Sequence, residues 1–382
     1  MNKSIKLLFS ILIISFSSFG QSTREVEKYL NNNMYELFPE NEEISGRLEN
    51  SLRNYQFYFS GESHYKPGNL QLKLQLLKKL YKEQNVRIVF LERGYSEGWL
   101  VNKYLETGDM TVLDYVNDDF EKSFYLELKK FNDSLMMPEK IRVYGIDYEK
   151  SPLRTNNALF LLFNSCLHNV AVSNVKTELN DFIKRNNQSF IADIHKLDLL
   201  FQSIENDTSY YQKILSGNYI DVKKMNESYQ AWKVMSKVNY NNANISDSLR
   251  MLREHFLFSN VCSIHEKFQM VSCFGQFGSF HIPLQFQERW LKYKNVKSFS
   301  SMLSEKYIGK VCSINTIYKA IFWNKIRFTK VNKNAGFTRK ELNSINSISP
   351  SKKITLFFLK DDNSPFVEFS TLYFQVVIVN KY

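Results

Sequence analysis

Several signatures that assign a chain to a common protein class are missing here. The four cysteines (Cys166, Cys262, Cys273 and Cys312) form no C-x-x-C pair, so a structural zinc site is not indicated. No G-x-S-x-G elbow is present and no cysteine ends a predicted strand beside a base, which argues against a covalent nucleophile. There is also no internal repeat and no low-complexity linker. The chain is therefore interpreted as one large domain, or as one domain that carries a large insertion.

The sequence also lacks a concentrated basic surface. Its formal net charge is +11, yet the lysines are scattered, as in the pairs at 78–79, 129–130 and 352–353. A nucleic-acid partner would be expected to need a dense patch or stripe of positive charge. We therefore expect these lysines to lie on solvated faces, and we expect no nucleic-acid partner.

Beyond the N-terminus, no segment is long and apolar enough to cross a bilayer. Residues 7–16 form an apolar run behind Lys3 and Lys6, and small residues follow it up to Gly20. This layout predicts a secretory signal peptide over residues 1–20, and hence an exported protein, periplasmic or secreted, that starts at Gln21. The alternative is a short N-terminal membrane anchor, although the run is short for a spanning helix. We expect no stable membrane span after signal cleavage.

The hydrophobic pattern predicts an α/β fold with a mostly parallel sheet flanked by helices. Strand-like runs occur at 55–60, 86–91, 141–146 and 268–274, with two more at 355–359 and 370–379. An amphipathic helix over 70–84 separates the first two runs, and this strand–helix–strand order predicts a parallel pair. Residues 155–245 read as helices without strands. We therefore predict one domain over 21–382 with a large helical insertion at 155–245.

Chemically useful side chains follow the predicted strands. Glu62 and His64 come after the first, Glu92 after the second, Asp147 after the third, and His281 closes the loop after the fourth. In an open parallel α/β sheet, ligands bind beyond the carboxyl ends of the strands. We therefore expect these five side chains to meet in one polar site.

A helix predicted over 247–266 adds to this site. Arg253 and Asn260 share one helical face with Leu257 and Ile264, and a polar pair is out of place in a plain core. Either Arg253 pairs with a structural carboxylate, or it has a functional role, in which it compensates the carboxylate cluster or holds a substrate oxyanion. The adjacent Glu254 either reaches the same rim or faces solvent.

Together these motifs resemble the erythromycin esterase-like proteins, which belong to a wider set with haem-uptake (ChaN-like) and Tiki-like proteins. The resemblance spans about 55–285. Two departures stand out: the first loop is one residue shorter, as in the haem-uptake and Tiki-like branches, and Gly278 stands where the esterases often carry a histidine. The matching segments are Gly61-Glu62-Ser63-His64, 89–92, 102–108, 143–147, 253–260 and 278–281.

The resemblance implies a hydrolase that cleaves an ester or related bond of a small molecule. His64 is expected to act as general base on a water, because imidazole titrates near neutral pH. Glu62 or Glu92 would orient it, His281 would stabilise or protonate the developing oxyanion or leaving group, and Arg253 would assist electrostatically. The residues assigned to substrate binding are Asp147, Glu254 and Asn260.

Two other interpretations of the same residues remain open. His64, His281, Glu62 and Glu92 form a mixed nitrogen and oxygen ligand set that suits Mn²⁺, Zn²⁺ or Fe, as in a metal-dependent hydrolase or protease of the Tiki-like type. The third interpretation is a non-catalytic protein that binds haem or another ligand. A divalent metal is the one cofactor that these residues suggest.

Overall fold

The computed structural model describes most of the chain. The described residues are 23–36, 51–64, 68–116, 119–167, 175–186, 193–237, 247–268, 271–285, 296–318, 321–323, 326–328, 339–349, 354–359, 364–366 and 373–380. The predicted signal peptide, residues 1–20, lies outside them, so its cleavage and the export of the protein stay predictions.

The described chain folds into alternating strands and helices. The strands are β1 (Met34–Glu36), β2 (Phe57–Glu62), β3 (Val86–Gly94), β4 (Arg142–Asp147), β5 (Ser272–Gly278), β6 (Val311–Tyr318), β7 (Ile321–Trp323), β8 (Ile326–Phe328), β9 (Thr355–Phe358) and β10 (Val376–Asn380). The helices are α1 (Thr23–Asn32), α2 (Asn69–Gln84), α3 (Tyr95–Thr107), α4 (Met110–Val116), α5 (Asp119–Asp133), α6 (Pro152–Leu167), α7 (Thr177–Asn186), α8 (Ile194–Asn206), α9 (Thr208–Leu215), α10 (Tyr219–Met235), α11 (Asp247–Lys267), α12 (Phe299–Lys306) and α13 (Arg339–Ile348).

Eight strands form one sheet in the order β1-β9-β10-β6-β2-β5-β3-β4. The six strands from β10 to β4 pair in parallel, and β9 and β1 add antiparallel pairs at one edge. The predicted α/β class with a mostly parallel sheet is therefore confirmed. The prediction that β2 and β3 form a parallel pair was wrong in one respect. Both belong to the parallel sheet, but β5 lies between them, since it pairs with β2 on one side and β3 on the other.

Both faces of the central sheet are covered. Along β2, Phe57 and Phe59 pack into one hydrophobic cluster with α11 and α12, whereas Tyr58 packs into the other with α2, α3 and α6. This alternation follows from the two-residue period of a strand, which sends successive side chains to opposite faces. Parallel sheets are usually buried on both sides, and their strands then read as nearly continuous apolar runs.

The sequence analysis missed the strand β6, which lies beside β2 at the centre of the sheet. All eight of its residues are buried, but Ser313, Asn315 and Thr316 interrupt the apolar pattern. Ser313 explains one interruption, because its hydroxyl donates to the carbonyl of Ile282 at 2.6 Å. A strand that uses polar side chains to hold neighbouring loops shows no apolar run in the sequence.

Between β4 and α11, the described residues form the helices α6 to α10 and short connections, and no strand. These helices pack on α3 and on one another, and their buried aromatic residues belong to the same core as α2 and α5. Tyr211, Tyr229 and Trp232 are packing residues in this block. The division of the chain into a domain and an insertion at 155–245 stays a prediction.

All four cysteines lie in described parts of the chain, and none is in a disulfide. Cys262, Cys273 and Cys312 are buried, and Cys166 is partly exposed. Among the described residues, we find no helix with the length and apolar character needed to cross a membrane.

Candidate functional site

The predicted strand ends meet at one rim of the sheet. The relevant strands are neighbours in the order β2-β5-β3-β4, and their ends carry Glu62, Gly278, Glu92 and Asp147 in that order. The pairing of β3 with β4 shifts register between Leu91 and Gly94, around Glu92. Such irregularities re-aim side chains and are common next to active sites.

His64 stands at the exposed end of this row. Its Nδ1 lies 2.8 Å from Oε1 of Glu62, and its Nε2 lies 3.9 Å from Oε2 of Glu92. Half of the side chain (50%) is exposed. The hydrogen bond with Glu62 raises the pKa of His64 above its usual value, and partial burial opposes this shift. With Nδ1 on Glu62, Nε2 is the ring nitrogen on the side of Glu92.

Glu62 is itself held in place by side chains that the sequence analysis did not assign to the site. The Nδ2 of Asn69 donates to Oε2 of Glu62 at 3.0 Å and to the carbonyl of Ser63 at 2.9 Å. The hydroxyl of Tyr318 donates in turn to Oδ1 of Asn69 at 2.6 Å. Gly68 is the N-cap of α2, with φ of 79°, and Asn69 is the first residue of this helix. Its carboxamide therefore supports Glu62.

Glu92 is the centre of the row. Its Oε1 accepts from Nη2 of Arg253 at 2.6 Å and lies 3.4 Å from Nε2 of His281, while its Oε2 accepts the backbone N–H of Gly278 at 2.8 Å. Burial alone would raise the pKa of Glu92, but His281, Arg253 and His64 outweigh it and hold the pKa well below the usual range. Glu92 is therefore ionised at neutral pH.

Asp147 lies beneath Arg253 and is fully buried. Arg253 donates to both of its carboxylate oxygens, at 3.2 and 2.5 Å, and Nζ of Lys150 donates to Oδ2 at 2.6 Å. Burial opposes ionisation, yet these two cations lower the pKa of Asp147 to about 2. Arg253 therefore pairs with a structural carboxylate, which is the first of its two interpretations. Its guanidinium also lines a cavity, so a role toward a substrate stays open.

His281 forms a second glutamate–histidine pair. Its Nδ1 lies 2.6 Å from Oε1 of Glu254, and the other oxygen of Glu254 accepts the backbone N–H of Phe299 at 2.8 Å. Burial disfavours a charged His281, but Glu254 and Glu92 outweigh this effect and raise its pKa to about 9. His281 is therefore an imidazolium at neutral pH.

The three residues assigned to substrate binding all have protein partners. Asp147 holds Arg253 and Lys150, Glu254 holds His281, and Nδ2 of Asn260 donates to the carbonyl of Ile146 at 2.8 Å. Glu254 also lines a small cavity, whereas Asp147 has no exposed surface. Direct contact of these residues with a substrate stays a prediction, and the geometry favours a positioning role for each.

The two departures from the esterase-like pattern meet at one point. A Cβ at Gly278 would lie 2.9 Å from Nε2 of His64 and 3.6 Å from Oε2 of Glu92. Any side chain at this position would therefore have to displace the imidazole. The short Glu-x-His loop and the glycine at 278 fit each other, because His64 fills the space that a side chain would need.

Two cavities lie on either side of this row of side chains. The larger has a volume of about 880 Å³, and the smaller about 200 Å³. Three residues, His64, Glu92 and Arg253, line both. The apolar part of the smaller lining comes from Met235, Phe280 and Val296.

The proposed metal ligands do not fit a divalent metal ion. Both oxygens of Glu92 are engaged by donors, one of them the guanidinium of Arg253, and both oxygens of Glu62 are engaged by His64 and Asn69. A guanidinium at 2.6 Å from the same carboxylate would repel a cation bound there. Among the described residues, no group of three or more His, Cys, Asp or Glu side chains is arranged to hold a metal ion.

Comparison with known proteins identifies the fold but no family. No family model and no curated protein matches the sequence. A succinoglycan biosynthesis protein has a similar structure, with a TM-score of 0.64 and 14% identity over 95% of this chain and 98% of its own. A protein from Bacillus cereus gives 0.62 and 13% over 95% and 98%. An erythromycin esterase mutant in its open conformation gives 0.60 and 11% over 91% and 97%. At these identities the chain shares the fold of these proteins, and membership of the esterase family stays a prediction.

Proposed function

We propose that this protein is a hydrolase that uses a water activated by His64 to cleave an ester or related bond of a small molecule. The observation that carries the proposal is the contrast between two imidazoles beside one carboxylate. His64 is half exposed with Nδ1 on Glu62, whereas His281 is buried and charged beside Glu92. A general base and a fixed positive charge close to the same point are what acyl transfer to water requires, the base to take a proton and the charge to stabilise the oxyanion.

In the proposed reaction, Nε2 of His64 takes a proton from water as the water oxygen attacks the carbonyl carbon. Glu62 keeps the imidazole oriented through Nδ1 and stabilises the imidazolium that forms. The negative charge that develops on the carbonyl oxygen is stabilised by the cationic His281 and Arg253. When the bond to the leaving oxygen breaks, His64 returns its proton to that oxygen, which gives a carboxylic acid and an alcohol.

Glu92, Asp147, Glu254 and Asn260 act as positioning residues in this scheme. Glu92 and Asp147 fix Arg253, and Glu254 fixes His281. The two cavities support a substrate that extends in both directions from the reacting bond, because the same three side chains line both. The fold shared with an erythromycin esterase is consistent with ester hydrolysis.

The test is turnover of an ester panel by wild type and by His64→Ala. The panel contains 4-nitrophenyl acetate, 4-acetoxybenzoate and erythromycin, in buffer with EDTA. Removing a general base is expected to lower kcat by about 10²–10⁴-fold on any ester that the wild type cleaves. His255→Gln is the matched control, because His255 is exposed and bonds only the backbone of its own helix among the contacts described.

Near-normal turnover by His64→Ala would show that another group activates the water. A wild type that cleaves none of the esters would favour the non-catalytic, ligand-binding interpretation. Activity that appears only when EDTA is replaced by a divalent metal would favour the metal-dependent alternative.

A further inference from the structure

The larger cavity has more cationic than acidic side chains on its lining. The volume of about 880 Å³ is sufficient for a small organic ligand. Its charged lining consists of Lys73, Arg93, Lys150, Arg154 and Arg253 on the cationic side, and of Glu62, Glu92 and Glu121 on the acidic side. The part of the substrate that lies here therefore meets a cationic surface.

Buried carboxylates hold several of these cations from behind. Nζ of Lys150 lies 2.6 Å from Asp147, and the guanidinium groups of Arg93 and Arg154 lie 3.4 and 2.8 Å from Glu97. Neither Asp147 nor Glu97 has exposed surface, so both acids lie under the lining and not on it. The cations are thus fixed in position before a ligand arrives, which favours binding of a planar or tetrahedral oxyanion.

The lining of the same cavity includes a buried carboxamide for which the described residues provide no hydrogen-bond partner. Gln276 lies in β5 and is only 5% exposed, and neither its Oε1 nor its Nε2 has a hydrogen-bond partner among the described residues. Ser60, opposite it in β2, is fully buried and its hydroxyl is likewise without a partner there. Unpaired buried polar groups are costly, so each one needs an explanation. For Gln276, which lines the cavity, a bound ligand supplies one.

We propose that the larger cavity binds a small oxyanion, a carboxylate or a phosphate, carried by the substrate. The inference rests on the proposed function and sharpens it, because it makes the substrate an ester with an anionic half. Arg93 and Lys150 have the most exposed side chains among these five cations. These two side chains face the anion. Gln276, which lines the same cavity, hydrogen-bonds polar atoms of the ligand that lie next to the anion.

The experiment measures binding without turnover, by titration calorimetry on the whole protein. The probes are two anions, 4-acetamidobenzoate and 4-acetamidophenyl phosphate, and one neutral analogue, methyl 4-acetamidobenzoate. At low salt, where charges are least screened, we expect the wild type to bind at least one anion about tenfold or more tightly than the neutral analogue. Whichever anion binds more tightly identifies the class of oxyanion.

Two variants test the cations, and a third provides the control. Arg93→Gln and Lys150→Met are each expected to weaken anion binding by about tenfold while changing the affinity for the neutral analogue little. Lys130→Met removes one positive charge from a side chain that is 73% exposed and lies outside the cavity lining. This control should retain the preference of the wild type.

Gln276→Leu separates a binding role from a structural one. Replacing an unpaired buried carboxamide by an apolar side chain of similar shape should raise the free energy of unfolding in urea. The same variant should bind the anionic probes several-fold more weakly. If Gln276 were only structural, its replacement would lower both the free energy of unfolding and the affinity for the anion. If it binds the ligand, the free energy of unfolding rises while the affinity falls.

The inference is overturned if the wild type binds neither anion more tightly than the neutral analogue. It is also overturned if both cation variants keep the full preference. A protein that binds the anion as expected but hydrolyses no ester would count against the proposed hydrolase and not against the anion site.

Discussion

The site contains two glutamate–histidine pairs that differ mainly in burial. In each, a glutamate oxygen lies close to Nδ1, at 2.8 Å for Glu62 and His64 and at 2.6 Å for Glu254 and His281. In each, Nε2 turns toward Glu92, at 3.9 and 3.4 Å. The exposed fraction of the imidazole is 50% for His64 and 8% for His281.

This difference in burial matters because the proposed mechanism needs one imidazole as a general base and the other as a fixed positive charge. A buried His281 interacts with two carboxylates through little water, so its pKa rises to about 9 despite the cost of burying its charge. At the surface, water screens the same kind of pair, and the pKa of His64 is raised mainly by its hydrogen bond with Glu62, against the opposing effect of partial burial. In each pair the glutamate orients the ring, and the degree of burial decides how firmly the ring holds its proton.

After the loss of the general base in His64→Ala, the largest expected effect comes from removing the buried member of the comparison. His281→Gln deletes the fixed positive charge beside the proposed oxyanion and should lower kcat by about 10²–10³-fold. In the wild type, activity should fall as pH rises through about 9, because His281 then loses its proton. In the variant this alkaline limb should disappear.

The measurement is kcat between pH 6 and 10 on an ester that the wild type cleaves, with His255→Gln as the control. An alkaline limb that persists in His281→Gln would assign it to another group. A kcat close to that of the wild type would remove His281 from the mechanism.

Glu149 isolates the effect of burial, because it has no histidine partner among the contacts described. It is fully buried, and burial raises its pKa to about 7, although a bond from the backbone N–H of Ser96 opposes this. The cost of ionising it in the folded state is absent below the usual glutamate pKa, grows as pH rises toward 7, and is complete above 7. Glu149→Gln should therefore gain roughly 2–4 kcal/mol of relative stability between pH 5 and pH 8.

Urea unfolding at pH 5 and pH 8 checks this prediction. The quantity to compare is the change in free energy of unfolding between the two pH values, variant against wild type. Glu106→Gln corrects for loss of one surface charge, because the Glu106 side chain is 69% exposed. Parallel pH dependence in Glu149→Gln and wild type would mean that burial does not raise the pKa of Glu149.

The smallest effect is expected at the exposed pair. Glu62→Gln keeps an oxygen that can accept a hydrogen bond from Nδ1 of His64 but removes the carboxylate charge, which strengthens that bond and raises the pKa of His64. The acid limb of the kcat/KM profile, where activity rises as His64 loses its proton, should move to lower pH. The plateau should fall less than about tenfold, because the general base itself remains. An acid limb that stays in place would show that Glu62 does not set the pKa of His64.

Much of the site follows from a single rule of parallel sheets. Acids placed after predicted strands, such as Glu92 and Asp147, meet because parallel strands end at the same edge. The Arg253 face of α11 also follows, since a cation on an apolar helical face needs a carboxylate partner. These inferences need only local pattern and one general topology.

The rest depends on contacts between distant parts of the chain. Tyr318 supports Asn69 from 249 residues away, and it lies in β6, whose polar residues hide the strand. Lys150 and Gln276 belong to the cavity only because three strands and a loop bring them together. Burial, which separates His281 from His64, is likewise a property of the packed chain. The local sequence therefore predicts which side chains lie at the strand ends better than it predicts the contacts and the burial of those side chains.

The position of β5 between β2 and β3 has a consequence for how the protein is made. Glu92 and its backbone partner Gly278 are 186 residues apart, so β2 and β3 leave the ribosome long before the strand that joins them. Until then, both present an unpaired edge to the gap, and such edges are prone to wrong pairing. His281 follows β5 within a few residues. Joining β2 to β3 and bringing Gly278 and His281 to the row of side chains around Glu92 thus belong to the same late step.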